Sequence, residues 1–362
     1  MYGCLRGRPA LKEQNLGDSK KEKVTIDDIA RICGVSRGTV NRAIHDKPEI
    51  SQSTKEKVLR VVDELGYRPS YHATTLRTGR THTIAVVLPG AEAGFFSRLY
   101  SEIENIVRQK GYLVALVLSH NDPEREAESL RIVAHRRLDG LIIFPVNKET
   151  GPIKSVLKNR IPTVILLNRM ESVETNLLHV DDYGGVREIV QHLIIHGHKR
   201  IAYVDSTHEF PSYNDYVQRE RYRAYRDGMK ASGLVVPSEY YVPSKPAERE
   251  AGDYSRLEPL AACNPVPTAV VCFHDRVALW TIQGLLHLGF RIPEDMSITG
   301  FDQAYDHSGL SMTVTTTAIP TSAIAAGAVA MLMNDIGSGS ISVREERLSV
   351  RFVPGQTSKK LV

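Results

Sequence analysis

Seven short, unbroken apolar runs follow one another after Thr83: "TIAVVLP", "YLVALVLS", "GLIIFP", "TVILLN", "RIAYVD", "TAVVCF" and "SITGF". Amphipathic stretches long enough for helices separate them. A strand that is apolar on both faces must be covered on both faces, so this alternation dictates parallel sheets flanked by helices, an α/β arrangement. Seven such strands over residues 83–358 point to two lobes rather than one. In open parallel sheets ligands settle beyond the carboxyl ends of the strands, and a cleft between two lobes would collect several of those ends.

Ahead of this alternation the periodicity is helical. Thr25 is a good N-cap, Asp28 follows three residues on as in a capping box, and Ile26, Ile29 and Ala30 make one apolar face. Gly34 breaks that helix. Ser36 can cap a second helix with Val40 and Ile44 inward and Arg37, Gly38, Asn41 and Arg42 on the other side. A third runs from Ser51, with Val58, Val61, Val62 and Leu65 at helical spacing and Gly66 as its stop. Two short helices joined by a tight turn and braced by a third make a helix-turn-helix, whose second helix enters the major groove of DNA. Spacing alone is equally compatible with three solvated helices. Charge bears on the choice: residues 1–80 hold 16 lysines and arginines against 10 aspartates and glutamates, and since the whole chain carries +4, residues 81–362 carry −2. The basic surplus thus sits where a polyanion could use it.

The resemblance of these segments to a known family is specific. "VTIDDIARICGVSRGTVNRAI" followed by "ISQSTKEKVLRVVDELGYRPS" resembles the headpiece of the lactose/galactose repressor (LacI/GalR) family almost position by position. The resemblance implies that the recognition helix opens with its specificity positions at Arg37 and Gly38, with a further base-reading arginine at Arg42. The DNA-contacting set it implies is Thr25, Ser36, Arg37, Gly38, Thr39, Asn41 and Arg42. Asn41 stands where a serine is usual, and Gly38 replaces a side chain that often touches a base. Arginine suits the N7 and O6 of guanine, so Arg37 and Arg42 are expected to carry most direct readout. "RPSYHATTLRTGRT", residues 68–81, resembles the family's hinge, with an apolar face of Tyr71, Thr75 and Leu76. Leu76 falls where the family inserts a wedge between base pairs, and Arg77 and Arg80 where phosphates lie. A plain linker is the alternative, and a segment that folds only when bound would be both.

The resemblance continues to about Gly355, through "HGHKRIAYV", "RERYRAYRDGMKASGL" and "HDRVALWTIQGLLHLGFRIPEDMSITGFDQ". It implies a two-lobed fold like the periplasmic sugar-binding proteins, with three crossovers. Effector contacts are then expected at Arg221, which matches an arginine that grips hydroxyls or carboxylates, and at Asp302, which matches an acceptor of paired hydroxyls. Phe95 and Phe96 would supply an aromatic wall, one of them facing the cleft, and Asn168 and Arg169 end a strand near it. His274 stands where many relatives have asparagine; a neutral imidazole also donates and accepts, and it brings a titratable charge. Asp275 is equally a helix cap or a contact, and Trp280 is read as packing.

Devices for catalysis do not emerge: there is no G-x-G-x-x-G after a strand, no phosphate loop and no G-x-S-x-G elbow. In "HLIIH", His192 and His196 are four apart, but Leu193 stands where a zinc protease needs glutamate. Four cysteines without CxxC spacing favour a reducing compartment, and residues 1–23 carry no apolar run of signal-peptide length. The expected organisation is a flexible extension (1–22), a small all-α helix-turn-helix headpiece (23–69), a hinge (70–82) and a two-lobed α/β effector and dimerisation domain (83–358). The expected molecule is a cytoplasmic homodimer, not an enzyme. It needs no cofactor or metal and contacts no membrane; its partners are near-palindromic operator DNA and a small polar effector, a sugar foremost. The short tail "PGQTSKKLV" leaves no room for the leucine repeat with which some relatives form tetramers. A transport or sensor protein without a regulatory role, and an enzyme on the same scaffold, are the rivals.

Overall fold

The computed structural model describes residues 24–67, 79–91, 94–136, 138–304 and 312–361. The hinge positions Tyr71, Thr75, Leu76 and Arg77 lie outside them. The chain divides into two compact units, 1–79 and 80–362.

In the first unit α1 spans Ile26–Cys33, α2 Arg37–Ile44 and α3 Gln52–Glu64. Each start is chemically defined. The Thr25 hydroxyl accepts from the Asp28 amide while the Asp28 carboxylate accepts from the Thr25 amide at 3.0 Å, a complete capping box. Ser36 and Ser51 accept from the amides of Thr39 and Thr54. Gly34 ends α1 at φ 65°, a left-handed conformation that costs glycine nothing. Ile29, Ala30, Cys33, Val40, Ala43 and Val58 form the core. Ile26, Ile44, Val61 and Val62 pack against it half-buried; one inward position differs from expectation, Leu65, which is exposed because it caps α3 instead of extending its stripe.

The second unit contains β1 (Thr83–Leu88), α4 (Phe95–Gln109), β2 (Leu113–Leu118), α5 (Pro123–Arg136), β3 (Gly140–Ile143), α6 (Gly151–Lys158), β4 (Thr163–Leu166) and β5 (Asn176–Val180). It continues with α7 (Asp182–Ile195), β6 (Ile201–Ser206), α8 (Tyr216–Ala231), β7 (Tyr241–Ser244), α9 (Pro246–Ala251), α10 (Glu258–Ala261), β8 (Ala269–Cys272), α11 (Asp275–His287) and β9 (Ser297–Thr299). The remaining elements are β10 (Thr316–Ala318), α12 (Thr321–Ser338), β11 (Glu345–Leu348) and β12 (Arg351–Val353). The first lobe is a six-stranded parallel sheet ordered β11-β5-β4-β3-β1-β2, and the second a four-stranded parallel sheet ordered β7-β6-β8-β9.

All seven apolar runs are strands, and in all but β2, an edge strand whose Leu113 is exposed, their side chains alternate between two buried faces as a covered parallel sheet requires. In β1, Ile84, Val86 and Leu88 join Leu99, Ile103 and Val107 of α4, whereas Ala85 and Val87 join Leu130 and Val133 of α5 and Ile153 and Val156 of α6. In β6, Ala202 and Val204 pack with Val277, Ala278 and Leu285 of α11, while Ile201 and Tyr203 face Ala224 and Tyr225 of α8. Fully covering such a side chain stabilises by about 1.5–3 kcal/mol, so residues on both faces share the work. Five strands carry no long apolar run. β11, with sequence EERL, and β7, which contains Pro243, form sheet edges where polar residues and proline are tolerated.

The chain passes between the lobes three times: from β5 through α7 to β6, from Asp302 through β10 to α12, and from β11 through β12 to Thr357, whose carbonyl accepts from Ile298 at 2.7 Å. β10 and β12 pair antiparallel along two of these passages. Among the described residues no helix is long and apolar enough to cross a membrane, and no cluster of three histidine, cysteine, aspartate or glutamate side chains could hold a metal.

Candidate functional site

A cavity of about 630 Å³ opens between the lobes of the second unit. Its lining comes from the carboxyl ends of both sheets. Pro89 follows β1, Asn121 β2, Phe144 β3 and Asn168 β4; Ser206 ends β6, Lys245 follows β7, and Phe273, His274 and Asp302 lie beyond β8 and β9. This is where open parallel sheets present backbone ends and loop side chains to a ligand.

Arg221 on α8 lies at the centre and is almost fully buried. Its Nε donates to Asp182 at 2.8 Å, one terminal nitrogen to the Phe273 carbonyl at 2.7 Å and the other to Asp302 at 3.2 Å. The guanidinium lies 3.8 Å from the centroid of the Phe301 ring and 4.8 Å from that of Phe273. Two carboxylates therefore hold one cation in a fixed plane. Burial pushes the Asp302 carboxyl up to about 6 despite Arg221 beside it, with Asp182 adding repulsion. Burial raises Asp182 in the same way. Asp302 has a left-handed φ of 96°, a conformation costly for a residue with a Cβ and one that persists only where its surroundings enforce it. Asp182 drew no attention in the sequence, because it lies 39 residues from Arg221 and opens an unremarkable helix.

His274 caps α11: its Nδ1 accepts from the Val277 amide at 3.2 Å. That fixes the neutral tautomer with the proton on Nε2. Burial, with the charges of Arg249 and Arg221, holds the ring well below 6.5. His274 thus carries no charge near neutrality, contrary to the sequence expectation, and its acceptor is already used. Asp275 is neither cap nor lining residue. It accepts from the Thr316 hydroxyl at 2.6 Å and the Ala304 amide at 2.8 Å, tying α11 to β10 and to the segment after Asp302. Gly300 makes room for it, since a Cβ there would sit 2.1 Å from the Asp275 carboxylate. Trp280 is buried in the second lobe's core, its indole donating to the Asp253 carbonyl.

On the opposite wall both Phe95 and Phe96 touch the cavity. Phe95 is mostly core, and Phe96 stacks edge-on with Phe144 at 5.1 Å. Asn168 is buried, donates to the carbonyls of Pro145 and Asn214, and leaves its Oδ1 without a partner. Arg169 does not line the cavity: it pairs with Glu345 of the edge strand β11. Sequence reading also passed over His208, Tyr213 and Arg249. His208 stacks on Tyr213 at 3.6 Å, and burial, with Arg249 nearby, lowers it to about 4.

In the first unit Thr25, Ser36, Arg37 and Gly38 are exposed, and Thr39, Asn41 and Arg42 are half-exposed. Arg37 reaches Asp27 at 3.0 Å and Arg42 approaches Glu49 at 3.9 Å. Exposed pairs of this kind are worth under about 1 kcal/mol, so a phosphate or base edge could displace either acid. A Cβ at Gly38 would meet nothing closer than 3.6 Å, so this glycine is not required by space. Arg80, at the start of the second unit, donates to the Ile336 carbonyl at 2.9 Å. His192 and His196 stack at 4.1 Å, and burial with neighbouring histidines lowers His192 to about 4.

Residues 25–70 match the description "Bacterial regulatory proteins, lacI family", and residues 190–358 match "Periplasmic binding protein-like domain". Catabolite control protein A of Priestia megaterium is 30% identical over 285 residues, spanning 77% of this chain and 82% of that protein. The NTD biosynthesis operon regulator NtdR of Bacillus subtilis (strain 168) is 28% identical over 330 residues, 91% of this chain and 98% of the relative. Among solved structures, the lac repressor dimer bound to operator and the anti-inducer ONPF covers 93% of this chain and 100% of its own at a TM-score of 0.78, with 21% identity, which speaks for the fold.

Proposed function

Since the chain belongs to the lacI family of bacterial regulatory proteins, we propose that it is a transcriptional repressor whose hold on operator DNA is set by a small hydroxylated effector bound in the cleft of its second unit. The observation that carries the effector reading is the cavity itself, where strand ends of both sheets converge on Arg221, Asp182 and Asp302. Asp302 accepts hydroxyl protons, Asn168 offers a free acceptor, His274 donates through Nε2, and Phe96 with Phe144 gives the apolar face of a sugar ring a surface to lie against. For DNA, α2 enters the major groove, Arg37 and Arg42 read bases, and Thr25, Ser36, Thr39 and Asn41 fix the backbone register. Gly38 leaves one base step without a side-chain contact. Leu76 and Arg77, which lie outside the described residues, serve as wedge and phosphate contact.

The lac repressor neighbour is a dimer on its operator, and a dimer of this chain would read two half-sites. Opening or closing of the cleft then alters how the two connectors seat on the duplex. An effector shifts that balance only by its differential affinity for the two states, about 1–3 kcal/mol of coupling. The test is selection from random duplexes with the full chain, followed by titration of a sugar panel into the complex. Recovery of a two-fold site whose affinity changes with one panel class is the expected result. Failure to enrich any palindrome removes the DNA reading, and a site held equally tightly with every cleft-binding compound removes the effector linkage.

A further inference from the structure

The cleft holds two arginines in different electrostatic states, Arg221 buried and Arg249 half-buried. Arg221 is matched by Asp182 and Asp302. Arg249, on α9, is held by neutral groups alone: the Ser244 carbonyl at 3.0 Å, the Ser244 hydroxyl at 2.8 Å and the Ser206 hydroxyl at 3.0 Å. Among the described residues no carboxylate lies within 4 Å of its guanidinium, and its buried Nε has no partner. The neighbouring cations do have counter-charges, Lys245 with Glu209 at 2.7 Å and Arg276 with Glu250 at 3.3 Å. Glu248, Glu250 and Asp205 attract Arg249 through space without reaching it, so the desolvation of its guanidinium is only partly offset. Three neutral partners would be served as well by an uncharged amide.

The field of that charge is felt inside the cavity. Burial and then Arg249 hold both His208 and His274 neutral, and burial followed by repulsion from Arg276 lowers Arg249 itself to about 10, still protonated near neutrality. The cavity is therefore polarised, with the aspartates around Arg221 at one place and a cation without a direct ion pair at another.

We propose that the cleft takes a hydroxylated small molecule bearing an acidic group, a phosphate ester or a carboxylate, and that Arg249 supplies the counter-charge for it. This rests on the effector reading above and narrows it: Asp302 takes hydroxyl protons, whereas the planar Arg249 fork, with Nε still free, faces two anionic oxygens.

The test uses the full chain and matched compounds: hexoses and pentoses, their phosphate monoesters and their uronic acids, with inorganic phosphate and acetate as bare-anion probes at constant ionic strength. Binding is read by fluorescence of Trp280 and by thermal shift. The acidic member of a pair is expected to bind about ten- to a hundredfold more tightly than its neutral partner, as one or two charge-assisted hydrogen bonds provide. Arg249→Met should abolish the ratio between the acidic and neutral members of each pair, whatever it does to their common affinity, and Arg249→Lys should keep part of the preference. Whether phosphates or carboxylates show the preference names the anion. Because the preference is measured in the unaltered chain, a poorly folding variant does not hide it. Pairs that bind alike, or a preference that survives in Arg249→Met, overturn the proposal while leaving the cleft reading intact. Absence of binding by every compound, neutral and acidic, defeats the cleft reading and this proposal with it.

Discussion

Replacing Arg221 by methionine isolates the electrostatic centre of the cleft. The side chain is 5% exposed and makes one hydrogen bond to each of two carboxylates and one to a carbonyl. Methionine restores much of the volume against Phe273 and Phe301 but strands Asp182 and Asp302. Removing one partner from a buried ion pair costs about 3–5 kcal/mol. At roughly 2–4 °C per kcal/mol for a domain near this size, the second unit should melt on the order of 10 °C lower. The single tryptophan, buried in the second lobe, reports that transition in urea or heat without interference from the first unit. The loss must also depend on pH with a definite sign. Asp302 already stands raised to about 6, and Asp182 is raised as well; without Arg221 both rise further. A carboxyl whose folded pKa exceeds its unfolded value contributes stability below about pH 4 that is lost as pH climbs through the folded value. Arg221→Met should therefore approach the parent protein in mild acid and fall behind towards neutrality, and adding Asp182→Asn and Asp302→Asn should recover most of the deficit. A cost under about 1 kcal/mol at neutral pH, or a deficit that does not change with pH, would refute this account of the cluster.

Two further outcomes follow from local geometry. Gly38→Ala meets only ordinary van der Waals contacts in α2 and should stabilise the first unit by about 0.5–1 kcal/mol in chemical denaturation; a drop in operator affinity in the same variant would mean that DNA approaches the backbone there. The depressed pKa of His274 means that its unfolded form gains a proton which the folded form refuses, so its stabilising share is present above about 6.5 and lost as pH falls. Asparagine caps helices equally well, so His274→Asn should match the parent near neutrality and exceed it increasingly in urea titrations below that pH. Equal acid sensitivity of the two proteins would show that the ring is not held neutral by its surroundings.

Several features of the cleft were legible only in part. Arg221 and Asp302 stood out by resemblance, yet nothing near either residue announces that they meet, or that Asp182 completes the group. Arg169 follows Asn168 in the chain and is expected beside it, but beyond β4, after Leu167 at a left-handed φ of 62°, Asn168 donates to the Pro145 and Asn214 carbonyls while Arg169 pairs with Glu345 on the edge strand. The sequence presents His274 as a titratable donor and acceptor; its capping bond to Val277 takes the acceptor, and desolvation with the charges of Arg249 and Arg221 takes the charge. Arg249 gave no signal, because an arginine on a short surface-like helix looks like any other until its lack of a direct ion pair is seen.

Local order in this protein is written in neighbouring residues. Thr25, Gly34, Ser36 and Ser51 set helix limits through bonds spanning three or four positions, and short unbroken apolar runs alternating with amphipathic stretches become parallel strands covered by helices. Such choices depend on chain stereochemistry and on apolar area, both of which are carried by adjacent side chains. Which charges are matched, which ring is neutral and which polar atom is left open were decided by folding alone. These properties depend on through-space distance and dielectric between groups that lie 39 or 81 residues apart.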